Sequence, residues 1–428
     1  MKAFIQRLLY RKVKRLLRKH EPRIVAVTGS VGKTSTTQAV ALALQPKFRV
    51  RTAPQSYNNE FGVPLAILGV KSPGKSVMGW FKILCQTDRE FPEVLVLEFG
   101  ADRPGDIAAL CALARPEVGV ITAISPVHVE HFGTVERLME EKATLAREVR
   151  EEGLVILNAD DERVAGFRAA ASASVVTYGS LRPADVQGSD YAIRAREDLS
   201  FDPGESFATA LFHVRTPQGE TDVLLHDALG RQQMSAALAA IAVGQHFGIG
   251  LEELVAQLAL HRAPPGRLRP LPGIKGSLIL DDTYNAAPAA VAAALLVLQE
   301  FHPAENRRRI AILGDMAELG SYSEAEHRSA GLQAVATSGV DLLVCVGEKA
   351  RGICQGAREA GMEAEQVLEL PNATEAGRWL DANIRQGDVV LVKGSQSMRM
   401  EKVVKDVMAE PLRAPELLVR QYGKWLRT

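Results

Sequence analysis

The sequence lacks an excess of charge of either sign, a cysteine framework and an internal repeat. Its 51 lysines and arginines balance 51 acidic residues over 428 positions, so no overall field argues for binding to nucleic acid. Its four cysteines, Cys85, Cys111, Cys345 and Cys354, show neither CxxC spacing nor a partner histidine cluster. This favours buried thiols in a reducing compartment over a disulfide framework or a zinc site. The remaining composition, 46% hydrophobic and 24% charged residues, is that of an ordinary soluble globular protein.

Strand-like patterns alternate with helical patterns along most of the chain. Four apolar runs in the first half are each followed by a helical pattern: IVAVTG, VLVLEFG, VGVITAIS and LVILNADD. Such alternation predicts βαβ units and a parallel sheet. A more polar stretch over 180–230 carries short alternating segments, which predicts a small antiparallel excursion.

A proline-rich segment, HRAPPGRLRPLPG, predicts a hinge between two domains. Beyond it the alternation resumes with SLILDDTYN, RIAILGD, LLVCVGE and VVLVKGS. This second sheet is expected to be of Rossmann type, although it lacks GxGxxG. The predicted fold class is therefore α/β, with a helix over 1–22, a central parallel-sheet domain over 23–262 and a Rossmann-like domain over 263–428.

The first twenty residues hold a strong local excess of positive charge. Eight lysines and arginines precede the first acid, Glu21, and apolar residues recur at three- and four-residue intervals. This pattern predicts an amphipathic helix that is too charged for a secretory signal and too short for a membrane span. Two interpretations stay open: contact of residues 1–20 with an anionic membrane, or a helix packed on its own domain with a solvated basic face.

The stretch TGSVGKTS joins a predicted strand to a predicted helix and is typical of a phosphate-binding loop. Gly29 and Gly32 let backbone N–H groups turn toward phosphate oxygens, and the following helix adds its positive end. Lys33 suits the β- and γ-phosphates, and the Thr34 hydroxyl suits Mg²⁺. The loop is two residues shorter than GxxxxGK[ST], so the central domain is predicted to be a P-loop-type ATPase domain with an unusual loop.

Three more residues suit a nucleotide site. Glu98 ends the run VLVLE and so lies at the carboxyl end of a strand, where α/β sheets bind ligands and where its carboxylate suits Mg²⁺. His128 follows another strand, and Lys142 lies fourteen residues later on a helix. A lone histidine or lysine is more often structural or solvated, so these two residues do not decide the function by themselves.

Seven stretches stand in an order and spacing typical of one enzyme family. They are TGSVGKTS, YNNEFGVPLAIL, VLEFGADRPGDI, ISPVHVEHFGTVERLMEEKA, GRL before LILDDTYNAAP, ILGDMAELG and VLVKGSQSMRME. Together they resemble the Mur ligases, and among these the MurF type, over residues 23–408. The resemblance implies ATP-dependent amide-bond formation in peptidoglycan synthesis, which serves cell-wall growth, shape and division. Folylpolyglutamate synthases share the short loop but do not usually carry DDTYNAAP with GDMAELG.

The resemblance also implies a role for each matching residue. Those implied to bind ATP are Gly29, Ser30, Gly32, Lys33, Thr34, Ser35, Arg267, Asp282, Tyr284 and Asn285. Those implied to hold two Mg²⁺ ions are Thr34, Glu98, His128 and a carbamylated Lys142, and the implied catalytic residues are Lys33, Glu98, His128 and Lys142. Those implied to contact the substrates are Asn58, Asn59, Asp315, Glu318, His327, Lys393 and Ser395.

The implied reaction joins D-alanyl-D-alanine to a muramoyl-tripeptide precursor. ATP phosphorylates the peptide carboxylate, and the amine of the dipeptide then attacks the acyl phosphate. The implied partners are these two substrates, without nucleic acid, and the implied location is cytoplasmic. Peripheral membrane contact through residues 1–20 stays one of the two open interpretations of the basic helix. Two alternatives stay open: a ligase of the folylpolyglutamate type, and a non-catalytic ATP-binding paralogue recruited to the membrane.

The chain departs from the MurF pattern in several places. GRQQMSAALAA replaces GxHNxxN, which leaves adenine contacts from Gln232, Gln233 and Ala236 open. Ala287 stands where asparagine is common, and Thr144 replaces an acid. About two dozen residues precede the loop, so the usual N-terminal domain that holds uridine diphosphate is expected to be absent. We expect that recognition to be reduced, supplied by a partner, or replaced by docking of the basic helix at a membrane.

Overall fold

The structure is a computed structural model that describes residues 2–53, 57–86, 90–125, 132–196, 206–301, 307–422 and 425. His128, a predicted Mg²⁺ ligand, lies outside the described residues. The chain divides into two compact units. The first comprises Met1–Asp190, Phe212–Val223 and Gln232–His261, and the second comprises Tyr191–Leu211, Leu224–Arg231 and Arg262–Thr428.

The first unit is built on a parallel sheet, which confirms the sequence prediction. Its strands are β1 (Arg23–Thr28), β2 (Val50–Thr52), β3 (Val94–Glu98), β4 (Val118–Ile121), β5 (Leu154–Asn158) and β6 (Ser174–Gly179). They lie in the order β2-β3-β1-β4-β5-β6, and each neighbouring pair is parallel. The four predicted apolar runs form β1, β3, β4 and β5, which are buried along almost their whole length, as parallel strands usually are.

Some helices of this unit begin where a local side chain accepts a hydrogen bond from an amide group of the first turn. They are α1 (Lys2–His20), α2 (Lys33–Leu44), α3 (Gly62–Leu68), α4 (Val77–Cys85), α5 (Asp106–Leu113), α6 (Val135–Glu148), α7 (Glu162–Ala165), α8 (Arg231–His246) and α9 (Leu251–Leu258). At the start of α4 the Ser76 hydroxyl accepts a hydrogen bond from the Gly79 amide at 3.1 Å. At the start of α6 the Thr134 hydroxyl accepts one from the Arg137 amide at 3.3 Å.

Three strands extend the sheet beyond β6. They are β7 (Val186–Ala195), β8 (Ala208–Thr216) and β9 (Gly219–His226), in that order. Two residues connect β8 to β9, a connection that only antiparallel neighbours allow. The predicted antiparallel excursion is therefore present, and the division between the two units passes through these strands.

Helix α1 packs against the first unit through its apolar side. Leu9 and Val13 are fully buried in the same core as Ile83 of α4. The Lys12 ammonium donates hydrogen bonds to the carbonyl oxygens of Ile83 and Gln86, both at 2.6 Å, at the C-terminal end of α4. Packing on its own domain therefore accounts for the apolar side of the helix, and the membrane contact stays a prediction.

The second unit contains a second α/β sheet, which confirms the predicted fold class. Its strands are β10 (Arg269–Pro272), β11 (Leu278–Asp282), β12 (Arg309–Gly314), β13 (Leu342–Val346), β14 (Val367–Leu370) and β15 (Val389–Lys393). Its helices are α10 (Pro288–Glu300), α11 (Ser323–Ala336), α12 (Arg351–Glu359), α13 (Ala373–Asn383), α14 (Glu401–Val407) and α15 (Ala414–Leu417). The order is β10-β11-β15-β12-β13-β14, with β10 antiparallel to β11 and the other pairs parallel.

The hinge prediction is wrong for residues 269–272, which form the edge strand β10. Pro270 pairs with Leu280 and Pro272 with Leu278. A proline has no amide hydrogen to donate to a neighbouring strand, so it is tolerated at the edge of a sheet. The prolines of the segment indicated a break in regular secondary structure. The sequence could not show that β11 would pair with residues 269–272.

The prediction of free, buried thiols is wrong for three of the four cysteines. Cys345 on β13 and Cys354 on α12 form a disulfide, with their Cα atoms 6.3 Å apart. Cys85 is exposed, and only Cys111 is both free and buried. The packing of α12 on β13 brings the paired cysteines together, and their spacing in the sequence carried no sign of it.

Candidate active site

The glycine loop between β1 and α2 has a backbone that only glycine adopts readily. Gly29 and Gly32 have φ of +144° and +84°. A Cβ on Gly29 would lie 2.1 Å from the Thr122 hydroxyl oxygen, so the packing excludes any side chain there. The Thr122 hydroxyl donates to the Val31 carbonyl at 2.6 Å, which ties the loop to the end of β4. Because α2 begins at Lys33, its N-terminal amide groups lie at the loop and suit an anion.

The side chains of the loop are held by short contacts within the first unit. The Lys33 ammonium donates to the carbonyl oxygens of Gly29 at 2.8 Å and Ser30 at 3.1 Å. Ser35 is buried, and its hydroxyl accepts a hydrogen bond from the Gln233 amide nitrogen at 3.4 Å. Gln233, which departs from the MurF pattern, therefore contacts the first turn of the loop helix.

Glu98 lies beside the loop because β3 pairs with β1 in a register that places Glu98 opposite Val27. Its two carboxylate oxygens accept hydrogen bonds from the Thr34 hydroxyl and from the Asn58 side-chain nitrogen, each at 2.9 Å. The Glu98 side chain is buried. The structure thus brings together three predicted residues that lie far apart in the sequence.

Lys142 lies on α6 and is only 3% exposed. Burial lowers the pKa of its ammonium group to about 7, and the positive charge of Lys33 lowers this pKa as well. The negative charges of Glu141, Asp102 and Glu98 act in the opposite direction. Lys142 therefore shares the electrostatic environment of Lys33 and Glu98, and much of its amine is neutral at neutral pH.

Glu141, the residue before Lys142, is a functional candidate that sequence reasoning missed. Its carboxylate is buried and accepts hydrogen bonds from the amide groups of Gly105 and Ile107, each at 2.7 Å. These amides lie at the N-terminus of α5, at the N-cap residue and in the first turn, where the positive end of the helix favours a carboxylate. Glu141 thus fixes α6, and with it Lys142, against α5. The only sequence signal was an acid next to the predicted lysine.

In the second unit, Asp282 and Lys393 form a buried ion pair at the carboxyl ends of β11 and β15. They are opposite each other in register, and the Lys393 ammonium lies 2.6 Å from Asp282 Oδ2. The same ammonium donates to the Asn285 carbonyl at 2.9 Å. Asp282 Oδ1 accepts from the Leu268 amide at 3.1 Å. Lys393, which is predicted to contact the substrate, therefore contacts two residues that are predicted to bind ATP, Asp282 and Asn285.

The turn that carries Arg267 is held by Asp281, a second residue that sequence reasoning missed. The carboxylate of Asp281 accepts hydrogen bonds from the Gly266 amide at 3.0 Å and the Thr283 hydroxyl at 2.6 Å. Burial raises the pKa of this carboxyl group to about 6. The Arg267 guanidinium lies 3.8 Å from the centre of the Tyr284 ring. These two predicted nucleotide contacts therefore stack on each other.

Arg420, near the C-terminus, holds the residues that follow β11, Thr283 and Tyr284. Its guanidinium donates to the carbonyl oxygen of Thr283 at 3.1 Å and also to that of Tyr284. It forms a buried ion pair with Glu401 at 2.9 Å. Arg420 lies 137 residues from Thr283, and no motif links the two, so the sequence carried no signal for this contact.

His327 and Ser395, both predicted to contact substrate, order the loop after β12. His327 Nε2 accepts a hydrogen bond from the Met316 amide at 2.9 Å, and Nδ1 donates to the Ser323 carbonyl at 2.6 Å. The Ser395 hydroxyl accepts one from the Ala317 amide at 2.7 Å. Both side chains are buried, and their substrate roles stay predictions.

The remaining predicted substrate residues also make local contacts. Asp315 follows β12, and its carboxylate accepts from the Ala350 amide at 2.7 Å. Asn59 is exposed, and its side-chain oxygen accepts from the Gly62 amide at 2.9 Å, at the start of α3. Glu318 has a φ of +63°, in the left-handed region. Substrate contact stays a prediction for these three residues.

Two family models match the chain: the Mur ligase middle domain over residues 27–244, and the Mur ligase, glutamate ligase domain over residues 266–396. The UDP-N-acetylmuramoyl-tripeptide--D-alanyl-D-alanine ligase of Mycobacterium leprae is 34% identical over 398 residues, which cover 88% of this chain and 71% of the relative. The chain belongs to the Mur ligase family.

Other members of the Mur ligase family are similarly close. The Escherichia coli protein of the same name is 31% identical over 385 residues, 90% of this chain and 76% of the relative. The structure of the MurF ligase from Thermotoga maritima, in complex with ADP, has a TM-score of 0.75 at 26% identity and covers 94% of this chain and 83% of that chain. These similarities confirm the predicted resemblance to the MurF type and the predicted fold class.

The oxygen donors of this Mur ligase site fit Mg²⁺. Among the residues that the structure describes, no three His, Cys, Asp or Glu side chains cluster around one point. Mg²⁺ is usually bound by one or two carboxylates together with substrate phosphates, so such a cluster is not required. The Thr34 hydroxyl and the Glu98 carboxylate, 2.9 Å apart beside the loop, are donors of the right type.

Replacing Glu141 with alanine should lower the free energy of unfolding by about 2 to 4 kcal/mol, because the buried Ile107 amide and the Gly105 amide at the N-terminus of α5 lose a charged acceptor. Urea denaturation at neutral pH measures this loss. Glu140→Ala is the matched control on the same helix, since Glu140 is exposed and its ion pair with Arg147 at 2.8 Å lies at the surface. Equal losses in both variants would contradict the role of Glu141.

Proposed function

We propose that this Mur ligase uses ATP to join D-alanyl-D-alanine to a muramoyl-tripeptide precursor in peptidoglycan synthesis. The observation that carries the proposal is the cluster beside the glycine loop, where Thr34, Asn58 and Glu98 are linked by hydrogen bonds of 2.9 Å. Lys142 interacts electrostatically with Lys33 and Glu98 in the same cluster. Relatives that cover most of this chain are named for this ligation.

The reaction activates a carboxylate that is a poor acyl donor. An oxygen of the precursor's terminal carboxylate attacks the γ-phosphorus of ATP, the bond to the β,γ-bridging oxygen breaks, and ADP leaves. The neutral amine of D-alanyl-D-alanine then attacks the carbonyl carbon of the acyl phosphate, phosphate leaves, and the amine loses a proton. The products are the amide, ADP and phosphate.

The chain's own residues lower the electrostatic cost of bringing two anions together. We propose that the amide groups of the loop and the Lys33 ammonium bind the ATP phosphates, which is the positioning role expected in phosphoryl transfer. Thr34, Glu98, His128 and Lys142 are the proposed residues for two Mg²⁺ ions. When bound, Mg²⁺ supplies positive charge that offsets the phosphate oxygens.

We further propose that Lys142 is carbamylated. The neutral amine attacks the carbon of CO₂ and releases one proton, which leaves a carboxylate-like group on the side chain. A buried lysine with a pKa near 7 supports this proposal, because a large fraction of its amine is in the reactive neutral form at neutral pH. NMR of the protein in ¹³C-bicarbonate tests it: a carbamate signal is expected in the wild type and not in Lys142→Met.

The remaining residues divide between nucleotide and substrate. The proposed contacts to ATP, besides Lys33 and Thr34, are Gly29, Ser30, Gly32, Ser35, Arg267, Asp282, Tyr284 and Asn285. The proposed contacts to the two peptide substrates are Asn58, Asn59, Asp315, Glu318, His327, Lys393 and Ser395. The proposed domain limits are 1–22, 23–262 and 263–428. A cytoplasmic location with peripheral membrane contact through residues 1–20 is also proposed.

A substrate panel tests the proposed reaction. The purified chain is mixed with ATP and Mg²⁺, with or without D-alanyl-D-alanine, and with a free, UDP-linked or lipid-linked muramoyl-tripeptide. Phosphate release is expected only when both peptide substrates are present, and mass spectrometry should show the joined product. Release with a folate and glutamate instead would favour a folylpolyglutamate-type ligase, and no release with any substrate would favour a non-catalytic paralogue.

A further inference from the structure

Helix α4 presents an apolar face to solvent. Val77, Met78 and Phe81 are 67%, 75% and 62% exposed. Successive residues of a helix are about 100° apart around its axis, so these three side chains fall within an arc of about 100°. Cys85, which is also exposed, lies on the same arc between Met78 and Phe81. The opposite side of α4 carries Ile83, which is buried in the core of the first unit. An ordinary surface helix would carry polar residues on its outer face.

The cationic helix α1 lies directly beside α4. The Lys12 ammonium binds the carbonyl oxygens at the C-terminal end of α4, so the Lys12 flank of α1 faces that helix. Arg15 and Lys19, three and seven residues after Lys12, share this flank, and both are exposed. Phe4 is 64% exposed. It lies between this flank and the side of α1 that is opposite the buried Leu9 and Val13.

The two segments are also alike in charge. Neither residues 2–20 nor residues 70–86 contain an acid. Nine lysines and arginines in and beside the two helices are exposed: Arg7, Arg11, Lys14, Arg15, Arg18, Lys19, Lys71, Lys75 and Lys82. Burial raises the pKa of Tyr10 on α1, and the negative charges of Glu60 and Asp106 raise it further. Tyr10 lies about 160° around the helix from Lys12, so these acids are on the flank away from α4.

We propose that α1 and α4 together form a docking surface for an anionic lipid bilayer. Charge complementarity selects this occupant, because two adjacent cationic segments without acids, one of which exposes Val, Met and Phe side chains, match the chemistry of an interfacial membrane helix. In this arrangement the lysines and arginines bind anionic headgroups, and Val77, Met78 and Phe81 enter the boundary of the acyl chains. No helix in the described part of the chain is long and apolar enough to cross a membrane, so the contact is peripheral.

This inference deepens the proposed membrane contact, since it adds α4 as the apolar part of the surface, and it does not depend on the ligase reaction. Removal of residues 2–20 would be a poor test, because Leu9 and Val13 belong to the core. Substitutions of exposed residues avoid this problem. Lipid binding is measured without ATP or peptide, and ligation is measured without lipid, so failure of one proposal leaves the other intact.

The first experiment is sedimentation of the full chain with vesicles of phosphatidylcholine alone or mixed with phosphatidylglycerol. We expect binding only to the mixed vesicles, weakened by salt. The triple variant Arg11→Gln, Lys14→Gln, Arg18→Gln should bind at least about tenfold more weakly, because each basic residue near an anionic surface contributes to the attraction. The double variant Met78→Ser, Phe81→Ser should lose the binding that remains at high salt.

Matched controls come from the second unit. Leu412 is 95% exposed, so Leu412→Ser removes an equally accessible apolar side chain from another surface. The variant Arg351→Gln, Arg378→Gln removes exposed charges there. Both controls should bind as the wild type does. Equal binding by all variants, no binding to the mixed vesicles, or a dimer without lipid that Met78→Ser, Phe81→Ser abolishes would overturn the proposal.

The second experiment places a probe on the docking surface. Cys85 is exposed, Cys111 is buried and the other two cysteines are paired, so a polarity-sensitive thiol dye labels Cys85 selectively. Its emission should shift to the blue with mixed vesicles and stay unchanged with phosphatidylcholine. The control carries Cys85→Ser and Leu412→Cys, and its dye should not respond. A shift in the control alone, or no shift at Cys85, would contradict the proposed surface.

Discussion

Replacing Lys33 with methionine is expected to lower kcat of the ligation about 1,000-fold while the protein stays folded. The Lys33 ammonium lies over the glycine loop, 2.8 Å from Gly29 O and 3.1 Å from Ser30 O. In the proposed reaction it offsets the charge that builds up as a carboxylate approaches the γ-phosphate. Methionine keeps the length of the side chain and removes the charge. The assay is phosphate release in the presence of both peptide substrates.

A matched lysine controls for the loss of a surface ammonium group. Lys47 also donates to a backbone carbonyl of the first unit, Gly248 O, at 3.0 Å. Lys47→Met should therefore keep full activity, and both variants should melt near the temperature of the wild type. Binding of ATP should weaken less than kcat falls, because the amide groups of the loop remain. A kcat of Lys33→Met within tenfold of the wild type would reject the assignment of Lys33.

Replacing Lys142 with methionine is expected to lower activity strongly and yet stabilise the fold. We expect kcat to fall about 100- to 1,000-fold, because the charged group proposed to support a metal ion is removed. Lys142→Arg separates two explanations, since arginine keeps a positive charge and cannot be carbamylated. A carbamate role predicts that the arginine variant is as inactive as the methionine variant. Activity close to the wild type in Lys142→Arg would show that a positive charge is sufficient.

The stability of Lys142→Met should depend on pH in a defined direction. Burial lowers the pKa of Lys142 from 10.5 to about 7 on folding, so the folded chain holds this proton less tightly than the unfolded chain. The wild type is therefore destabilised fully below pH 7, and the cost disappears as the pH rises toward 10.5. In buffer freed of CO₂, the variant should be a few kcal/mol more stable at pH 6, and the difference should shrink to less than about 1 kcal/mol near pH 10. Urea denaturation across this range measures the difference. A constant difference would contradict the depressed pKa.

The parts of the site that were predictable are those encoded in contiguous stretches. TGSVGKTS requires a strand, a glycine turn and a helix within eight residues, and β1, the loop and α2 follow in that order. Glu98 could be placed beside the loop because the carboxyl ends of parallel strands meet at one edge of a sheet. The register that sets Glu98 opposite Val27 then brings its carboxylate to Thr34.

The residues that were missed act through contacts between distant segments. Glu141 accepts amide hydrogen bonds from α5, more than thirty residues away, and Arg420 reaches Thr283 across 137 residues. Their residue types are common on surfaces, so nothing in the local pattern separated them from solvated charges. The disulfide between Cys345 and Cys354 was missed for the same reason, since only the packing of α12 on β13 brings their Cα atoms to 6.3 Å.

The sequence by itself determined the two α/β sheets and the strand, glycine turn and helix of the phosphate loop, because each depends on local periodicity or on a short motif. Only the tertiary structure decided that Lys142 is a buried amine with a depressed pKa, since that property comes from desolvation and from charges on other segments. It likewise placed the apolar face of α4 beside the cationic helix α1. Such properties arise from packing between elements, and no single stretch of sequence contains both partners.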